Sequence, residues 1–167
     1  MEIRIALDLD GCISDFWNAY CKYFKTDKHP NCLKDHIITR NVERVLKHDR
    51  KFWTGLPVKN TIDFVPEMYC SKRVNPKTWS KEWLKKNNFP DRPFYQMMYQ
   101  HGNKADMIKG RADVLIDDSY GNVEKCIKSG FPALWYKDHR SPNDPPFTIY
   151  SLTKSEITST FINVYKQ

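Results

Sequence analysis

The sequence predicts an α/β fold in which a parallel sheet lies between two layers of helices. Short apolar runs rich in β-branched residues alternate with segments of helical periodicity along the chain, which favours parallel strands joined by crossover helices. Acidic residues follow the first and fourth of these runs directly. A chain of 167 residues with 40% hydrophobic and 14% aromatic content can bury one full core but not two. We therefore expect one three-layer domain over residues 1–167, with a small insertion at about 15–58.

Five segments have the length and composition of buried strands. They are Ile3 to Leu7, Phe64 to Cys70, Phe94 to Tyr99, Val114 to Ile116 and Ala133 to Tyr136. Pro66 should lie at the start of its strand or on a sheet edge, because proline cannot donate to a strand ladder.

Six segments have helical spacing. They are Asp15 to Phe24, Leu33 to His48, Trp79 to Lys86, Lys104 to Ile108, Asn122 to Lys128, and a last helix that starts after Thr153. Asp15 is placed to cap the first helix, Gly130 to close the fifth, and Thr153 with Glu156 to form a capping box. The aromatic pair Phe52-Trp53 precedes Gly55 and is expected on a turn.

Charge and cysteine usage narrow the class of protein. The net charge of +7 and pI near 9.1 suit an anionic partner such as a phosphate ester or nucleic acid, although lysine-rich helices such as Lys81 to Lys86 can simply carry solvated charge. The five cysteines contain no C-x-x-C pair, which argues against a disulfide framework or structural zinc. Because no apolar run is long enough to span a bilayer and no signal segment is visible, we expect a cytoplasmic protein with no membrane partner.

Polar side chains follow directly after three of the predicted strands. They are Asp8 and Asp10, Ser71, and Asp117 with Asp118. The carboxyl ends of parallel strands share one sheet edge, so these side chains can converge on one crevice. Carboxylates gathered there repel one another unless a hard cation such as Mg²⁺ is bound, and Ser71 with Lys104 could donate to a phosphate ester.

These residues resemble the four motifs of the haloacid dehalogenase superfamily. Ile5 to Gly11 resembles the first motif, a hydrophobic strand followed by D-x-D-G, and Tyr69-Cys70-Ser71 resembles the second. Lys104 stands where the third motif has its lysine, and Leu115 to Asp118 resembles the acidic fourth motif. The resemblance implies a Rossmann-like core with a small helical cap, the insertion at about 15–58.

The resemblance also implies catalytic roles. Asp8 would attack phosphorus and form an aspartyl-phosphate, and Asp10 would protonate the leaving alkoxide and later activate water. Ser71 would donate a hydrogen bond to a phosphate oxygen. Lys104 would neutralise the phosphoryl group and hold Asp8.

A Mg²⁺ site is implied by the same resemblance. Asp8, the carbonyl oxygen of Asp10 and Asp117 would be its ligands, and Asp118 would support them from the outer shell.

Within the superfamily the chain looks most like the 5'(3')-deoxyribonucleotidases and their small phage and bacterial relatives. Asp15-Phe16 completes the pattern D-x-D-G-x-x-x-D-F, and Phe52-Trp53 resembles an aromatic cap element. This implies that Phe16, Phe52 and Trp53 contact the substrate base, unless they pack the core of the cap. Lys72 and Arg73 depart from the family pattern and add positive charge for substrate binding.

Four functions remain open from the sequence. The first is Mg²⁺-dependent hydrolysis of nucleoside monophosphates through an aspartyl-phosphate. The second is a phosphatase acting on nucleic-acid ends, like a polynucleotide 3'-phosphatase, which the positive charge favours. The third is a non-catalytic phosphate-binding module, and the fourth is a sugar-phosphate phosphatase, which would not need aromatic residues over the site.

Overall fold

A computed structural model describes residues 2–26, 35–97 and 102–166 of the chain. These residues contain six strands: β1 Ile5–Leu7, β2 Met68–Ser71, β3 Phe94–Gln96, β4 Val114–Asp117, β5 Ala133–Tyr136 and β6 Thr148–Ile149. All neighbouring strands pair in parallel, in the order β3-β2-β1-β4-β5-β6. The predicted α/β fold with a parallel sheet is confirmed.

Helices connect the strands. They are α1 Phe16–Tyr23, α2 Asp35–Arg44, α3 Arg50–Thr54, α4 Lys77–Lys86, α5 Lys104–Ile108, α6 Tyr120–Lys128 and α7 Lys154–Tyr165. A turn of 3-10 helix, Leu46–His48, joins α2 to α3.

The two faces of the sheet carry separate cores, as strand alternation requires. In β1, Ile5 and Leu7 belong to one buried cluster and Ala6 to the other. In β4, Leu115 likewise lies on the face opposite its neighbours. The larger cluster also contains buried side chains of α1, α3 and α4, so the sheet is covered on both sides and the architecture has three layers.

The five predicted strands are all present, but their limits differ. The second begins at Met68, after Pro66, as expected for a residue that cannot donate to the ladder. The sixth strand, Thr148–Ile149, was not predicted, because two residues are too few for a recognisable pattern. The predicted limits at Leu33 and Tyr99 lie outside the described residues.

Two helix predictions need correction. Phe52 and Trp53 lie in the helix α3 and not on a turn, because the Asp49 carboxylate accepts a hydrogen bond from the Phe52 amide (3.0 Å) and starts a helix there. The predicted helix to His48 ends at Arg44 and continues as the 3-10 turn.

Two capping predictions are only partly met. Asp15 precedes α1 but accepts from the Asn18 side chain (2.9 Å) and caps no amide. Thr153 accepts from the Glu156 amide (3.4 Å), whereas the Glu156 carboxylate accepts from the Tyr150 amide (2.9 Å) instead of completing a capping box.

The segment between β1 and β2 contains α1, α2 and α3. Within it, Trp53 Nε1 donates to the Leu46 carbonyl (2.7 Å). Trp83 Nε1 of α4 joins the segment to the rest of the fold by donating to the Leu56 carbonyl (2.7 Å). This segment corresponds to the insertion expected at about 15–58, and its boundaries as a cap stay a prediction. In the part of the chain that the structure describes, no helix combines the length and apolar character needed to cross a membrane.

The strand order reverses direction at β1, since the chain moves from β1 out to β3 and then returns to β4 on the other side. Ligands of open parallel sheets bind beyond the carboxyl ends of the strands at such a switch point. Asp8 follows β1 and Asp117 ends β4 at this point.

Candidate active site

A cavity of about 1060 Å³ opens at the carboxyl edge of the sheet. Its wall contains nine of the predicted site residues: Asp8, Asp10, Phe16, Trp53, Ser71, Lys72, Lys104, Asp117 and Asp118. The structure thus brings together residues from the ends of three strands, β1, β2 and β4, from the start of α5 and from the insertion. Phe52 and Arg73, also predicted to bind substrate, do not line the cavity.

Lys104 joins two carboxylates at the floor of this cavity. Its Nζ atom lies 2.6 Å from Asp8 Oδ1 and 2.6 Å from Asp117 Oδ2, and all three side chains are buried. Burial opposes the charge on Lys104, but the carboxylates of Asp117 and Asp8 outweigh burial and raise the lysine pKa well above its usual value. The lysine therefore stays charged and holds Asp8 through a single oxygen.

Burial and neighbouring charges shift the pKa of Asp8 in opposite directions. Burial raises its pKa, the charge of Lys104 lowers it, and the nearby carboxylates of Asp117, Asp118 and Asp10 raise it further, so that the net shift is upward. The carboxylates around Asp8 therefore repel one another. A bound cation would relieve that repulsion.

Asp10 is fixed by a buried arginine. Arg73, which is fully buried, donates from Nε to Asp10 Oδ2 (2.8 Å) and from Nη2 to Asp10 Oδ1 (2.5 Å), and the Ser14 hydroxyl donates to Oδ1 (2.7 Å). Arg73 also donates to the Ser80 hydroxyl (3.0 Å) and lies 5.0 Å from the Trp53 ring centroid. The prediction that Arg73 supplies free positive charge to substrate needs correction, because its charge is used by Asp10.

Asp117 and Asp118 both lie near Asp8, but they make different contacts. Asp117 is engaged by Lys104, by the Ser119 amide (2.8 Å) and by Asn122 Nδ2 (3.1 Å). Ligand atoms of Asp8, Asp118 and Cys12 instead lie within 4.8 Å of one another. Asp118 is therefore available beside Asp8 as a cation ligand, Asp117 contacts Lys104, and the predicted ligand role of Asp117 stays a prediction.

The Asp118 carboxylate is positioned by its neighbours. Trp17 Nε1 donates to Oδ2 (3.0 Å), and the carboxylate lies over Gly11, where a Cβ atom would be 1.8 Å from Oδ2. Gly11 also has a φ of +83°, a conformation that glycine adopts readily. Burial, followed by the charge of Asp117, raises the pKa of Asp118 to about 7, against the hydrogen bond from Trp17.

The donor set fits a hard divalent cation. Asp8 and Asp118 offer carboxylate oxygens, which Mg²⁺ prefers; burial first and then neighbouring carboxylates raise the pKa of both groups, and a bound cation would favour their charged forms. Burial and the charges of Asp118 and Asp8 raise the pKa of the Cys12 thiol well above its usual value, so the thiol stays neutral and is a poor ligand for Mg²⁺.

The aromatic residues of the insertion pack mainly against one another. Phe16 and Trp53 stack with ring centroids 5.6 Å apart and are only 4% and 1% exposed, so they offer little surface to a base. Phe52 packs edge-on against Phe16, at 5.9 Å. Trp17 and Trp135 are the half-buried aromatic side chains on the cavity wall. The alternative that Phe16, Phe52 and Trp53 form a small core is the one that the structure favours.

Sequence reasoning missed several residues of the site. Ser14 follows Asp10 by four positions on a tight turn, and Lys125 follows Asn122 by three positions on one helix face, so spacing could have indicated both. Trp17 and Arg73 contact residues 101 and 63 positions away, and no local pattern signals such pairs.

The fold and the site define an α/β protein with an acidic centre, balanced by a buried lysine, at the switch point of a parallel sheet. No protein-family model and no curated protein matches the chain. Among solved structures, it is similar to a haloacid dehalogenase-like hydrolase from Streptococcus pneumoniae, with 12% sequence identity, a TM-score of 0.47, and coverage of 95% of this chain and 90% of the other.

Proposed function

We propose that this chain is a Mg²⁺-dependent phosphatase that hydrolyses nucleoside monophosphates through an aspartyl-phosphate on Asp8. The observation that carries the proposal is the placement of Asp8 at the floor of the cavity, with Oδ1 held by Lys104 at 2.6 Å. That contact leaves Oδ2 for attack. It also places a cation, Lys104, beside the phosphoryl group that Oδ2 would receive.

The first half of the reaction forms the bond between Asp8 Oδ2 and phosphorus and breaks the bond from phosphorus to the ester oxygen. Asp10 gives its proton to that departing oxygen, and Ser71 donates to a phosphoryl oxygen. In the second half, Asp10 accepts a proton from a water molecule, which attacks phosphorus and releases inorganic phosphate and Asp8.

Mg²⁺, held by Asp8, the Asp10 carbonyl and Asp118, would neutralise the charge on the phosphoryl oxygens during transfer. Lys104, with Asp117 behind it, would remain charged throughout and keep Asp8 in place. Arg73 and Ser14 bond to both carboxylate oxygens of Asp10, so one of these bonds would be released when Asp10 takes up the proton that it gives to the departing oxygen.

A nucleoside is the leaving group that the wall of the cavity supports. Trp17 and Trp135, which are half-buried, contribute aromatic surface to a wall that is otherwise largely charged. Bases stack on aromatic faces with roughly 1–3 kcal/mol each. In this proposal Trp17 and Trp135 contact the base in place of the predicted Phe16, Phe52 and Trp53.

Phosphate release from a panel of nucleoside monophosphates and sugar phosphates tests this function. We expect release that requires Mg²⁺, is fastest with nucleoside monophosphates and is abolished in Asp8→Asn. Asp138→Asn is a suitable control, since Asp138 lines the same cavity but pairs with Lys59 (2.7 Å). Equal rates with sugar phosphates would remove the nucleotide preference, and activity retained in Asp8→Asn would remove the nucleophile.

A further inference from the structure

Five lysines line the cavity, and they differ in how their charge is compensated. Three form ion pairs: Lys104 with Asp8 and Asp117, Lys59 with Asp138 at 2.7 Å, and Lys137 with Asp144 at 2.5 Å. Within residues 2–26, 35–97 and 102–166, Lys72 and Lys125 have no carboxylate partner.

Lys72 and Lys125 lie on the same side of the cavity. Lys72 follows Ser71, is half-buried, and donates from Nζ to the Asn122 side-chain oxygen at 2.9 Å. Lys125 is exposed and lies one helical turn after Asn122 in α6. Burial and the charges of Lys104 and Lys125 lower the pKa of Lys72, so these ammonium groups repel one another as the protein stands.

The start of α6 adds to this positive region. The Ser119 amide at the N-cap already donates to Asp117 Oδ1 (2.8 Å), but the Ser119 side chain makes no capping bond, and both Ser119 and Gly121 line the cavity. A helix N-terminus carries partial positive charge and amide donors that favour anions. Two unpaired lysines therefore converge with a helix start on one wall.

This positive region extends beyond the position of the scissile phosphate. In the proposed reaction that phosphate binds at Asp8 beside Lys104, whereas Lys72 donates to Asn122 of α6 and Lys125 lies exposed one turn further along that helix. Arg73, the other cation predicted near the site, is used by Asp10. We propose that Lys72, Lys125 and the start of α6 form a subsite for a second phosphate group of the substrate, beside the scissile one.

This inference rests on the proposed function and narrows its substrate class. The preferred substrate carries two phosphate groups, either as a nucleoside bisphosphate or as the phosphorylated end of a nucleic acid, in which the neighbouring phosphodiester enters the subsite. Nucleoside monophosphates fill the site only in part. The aromatic wall near Trp17 is left for the base.

Binding to Asp8→Asn protein, which cannot turn substrate over, tests the subsite by titration calorimetry with Mg²⁺ present. The probes are adenosine 3',5'-bisphosphate, the 3'- and 5'-monophosphates of adenosine, and a 5'-phosphorylated thymidine dinucleotide. We expect the bisphosphate to bind roughly tenfold more tightly than either monophosphate, as one charged hydrogen-bonded contact implies. Lys125→Ala should remove most of this gain.

Lys128→Ala is the matched control, since Lys128 is an exposed lysine of the same helix that pairs with Glu124 and does not line the cavity. It should keep the gain. If the dinucleotide also binds more tightly than the monophosphates, the second phosphate comes from a nucleic-acid end. If only the bisphosphate binds more tightly, the substrate is a small molecule. Either result supports the subsite.

Equal affinity for the bisphosphate and the monophosphates would overturn the inference. So would a Lys125→Ala variant that binds the bisphosphate and the monophosphates more weakly by the same factor, because the lysines would then bind the scissile phosphate. The ratio of kcat/KM for the same pairs in protein with Asp8 intact gives a second measurement if Asp8→Asn folds poorly. Absence of phosphate release together with a retained binding preference would contradict the proposed function and leave the subsite standing.

Discussion

Replacing Arg73 with methionine removes one partner of a buried ion pair. The Arg73 side chain is 0% exposed and the Asp10 side chain 16% exposed, and the guanidinium spans both carboxylate oxygens at 2.8 and 2.5 Å. Methionine fills a similar volume but supplies no donor to Asp10, to Ser80 or to the Trp53 ring. The carboxylate would then lie largely out of water with only the Ser14 hydroxyl bonded to it.

The expected loss of stability follows from this burial. Breaking a buried pair by removing one partner costs about 3–5 kcal/mol, and the partial exposure of Asp10 places the effect near the lower limit, about 3 kcal/mol. For a domain of this size each kcal/mol lowers Tm by roughly 2–4 °C, so Arg73→Met should lower Tm by about 6–12 °C. Arg73→Lys keeps the positive charge but not the bidentate hydrogen bonding to Asp10, so its Tm should fall by about half as much as that of Arg73→Met.

Thermal unfolding followed by circular dichroism measures these differences. Arg50→Met is the matched control, since Arg50 donates to both oxygens of Glu82 at 2.9 and 2.8 Å but the two side chains are 61% and 42% exposed. An exposed pair contributes about 0–1 kcal/mol, so the control should lower Tm by no more than about 4 °C.

A double-mutant cycle with Asp10→Asn isolates the pairwise contribution. We expect the loss in Arg73→Met to be much smaller when Asp10 is already asparagine, because no buried charge is then left unpaired. Two results would refute the account of Arg73 as the residue that holds Asp10. One is a fall in Tm for Arg73→Met no larger than that for Arg50→Met. The other is an equal fall in Tm for Arg73→Met whether residue 10 is aspartate or asparagine.

Three further predictions concern Mg²⁺ binding. Trp17→Phe removes the 3.0 Å hydrogen bond to Asp118 and should weaken Mg²⁺ binding roughly tenfold, measured by titration calorimetry, whereas Trp79→Phe, away from the cavity, should not change it. Lowering the pH from about 8 to about 6 should weaken Mg²⁺ binding, because the pKa of Asp118 is raised to about 7 and protons then compete with the ion. The Tm of the metal-free protein should fall as the pH rises from about 4 to about 7. Over this range the folded protein keeps a proton on Asp118 that the unfolded chain has released. A binding constant independent of pH would contradict this assignment. Gly11→Ala places a Cβ atom 1.8 Å from Asp118 Oδ2 at a positive φ, and should lower both Tm and Mg²⁺ affinity; an unchanged affinity would show that Asp118 does not bind the ion.

The central strands and the site at their ends could be predicted because their signals are local. Runs such as Ile5–Leu7 and Val114–Asp117 are apolar and short, and Asp8 and Asp117 follow or end them. Parallel pairing then places the carboxylates at one edge without further information. Lys104 was predicted from the family resemblance, and the structure places it between these two carboxylates.

The partners of the outer site residues could not be predicted in the same way. Arg73 is next to Lys72 in sequence, yet one side chain is buried against Asp10 and the other lines the cavity, because successive residues of an extended segment point to opposite sides. The different contacts of Asp117 and Asp118 have the same origin. Asp117 is the last residue of β4 and points at Lys104, so the next residue is the one directed toward Gly11.

The aromatic residues show a limit of composition as a guide to function. Phe16, Phe52 and Trp53 suited both base stacking and a small core, and only their burial separates the two possibilities. A pattern of apolar residues does not reveal which ring keeps a free face.

The most direct test of the account is identification of the residue that carries the phosphoryl group during turnover. Wild-type protein would be mixed with Mg²⁺ and a nucleoside monophosphate, quenched in acid within one turnover, and digested for mass spectrometry. We predict a hydroxylamine-labile phosphoryl group on the peptide that contains Asp8, and none in Asp8→Asn. Phosphate release with the label on another residue, or with no labelled peptide at any quench time, would contradict the assignment of Asp8 as the nucleophile.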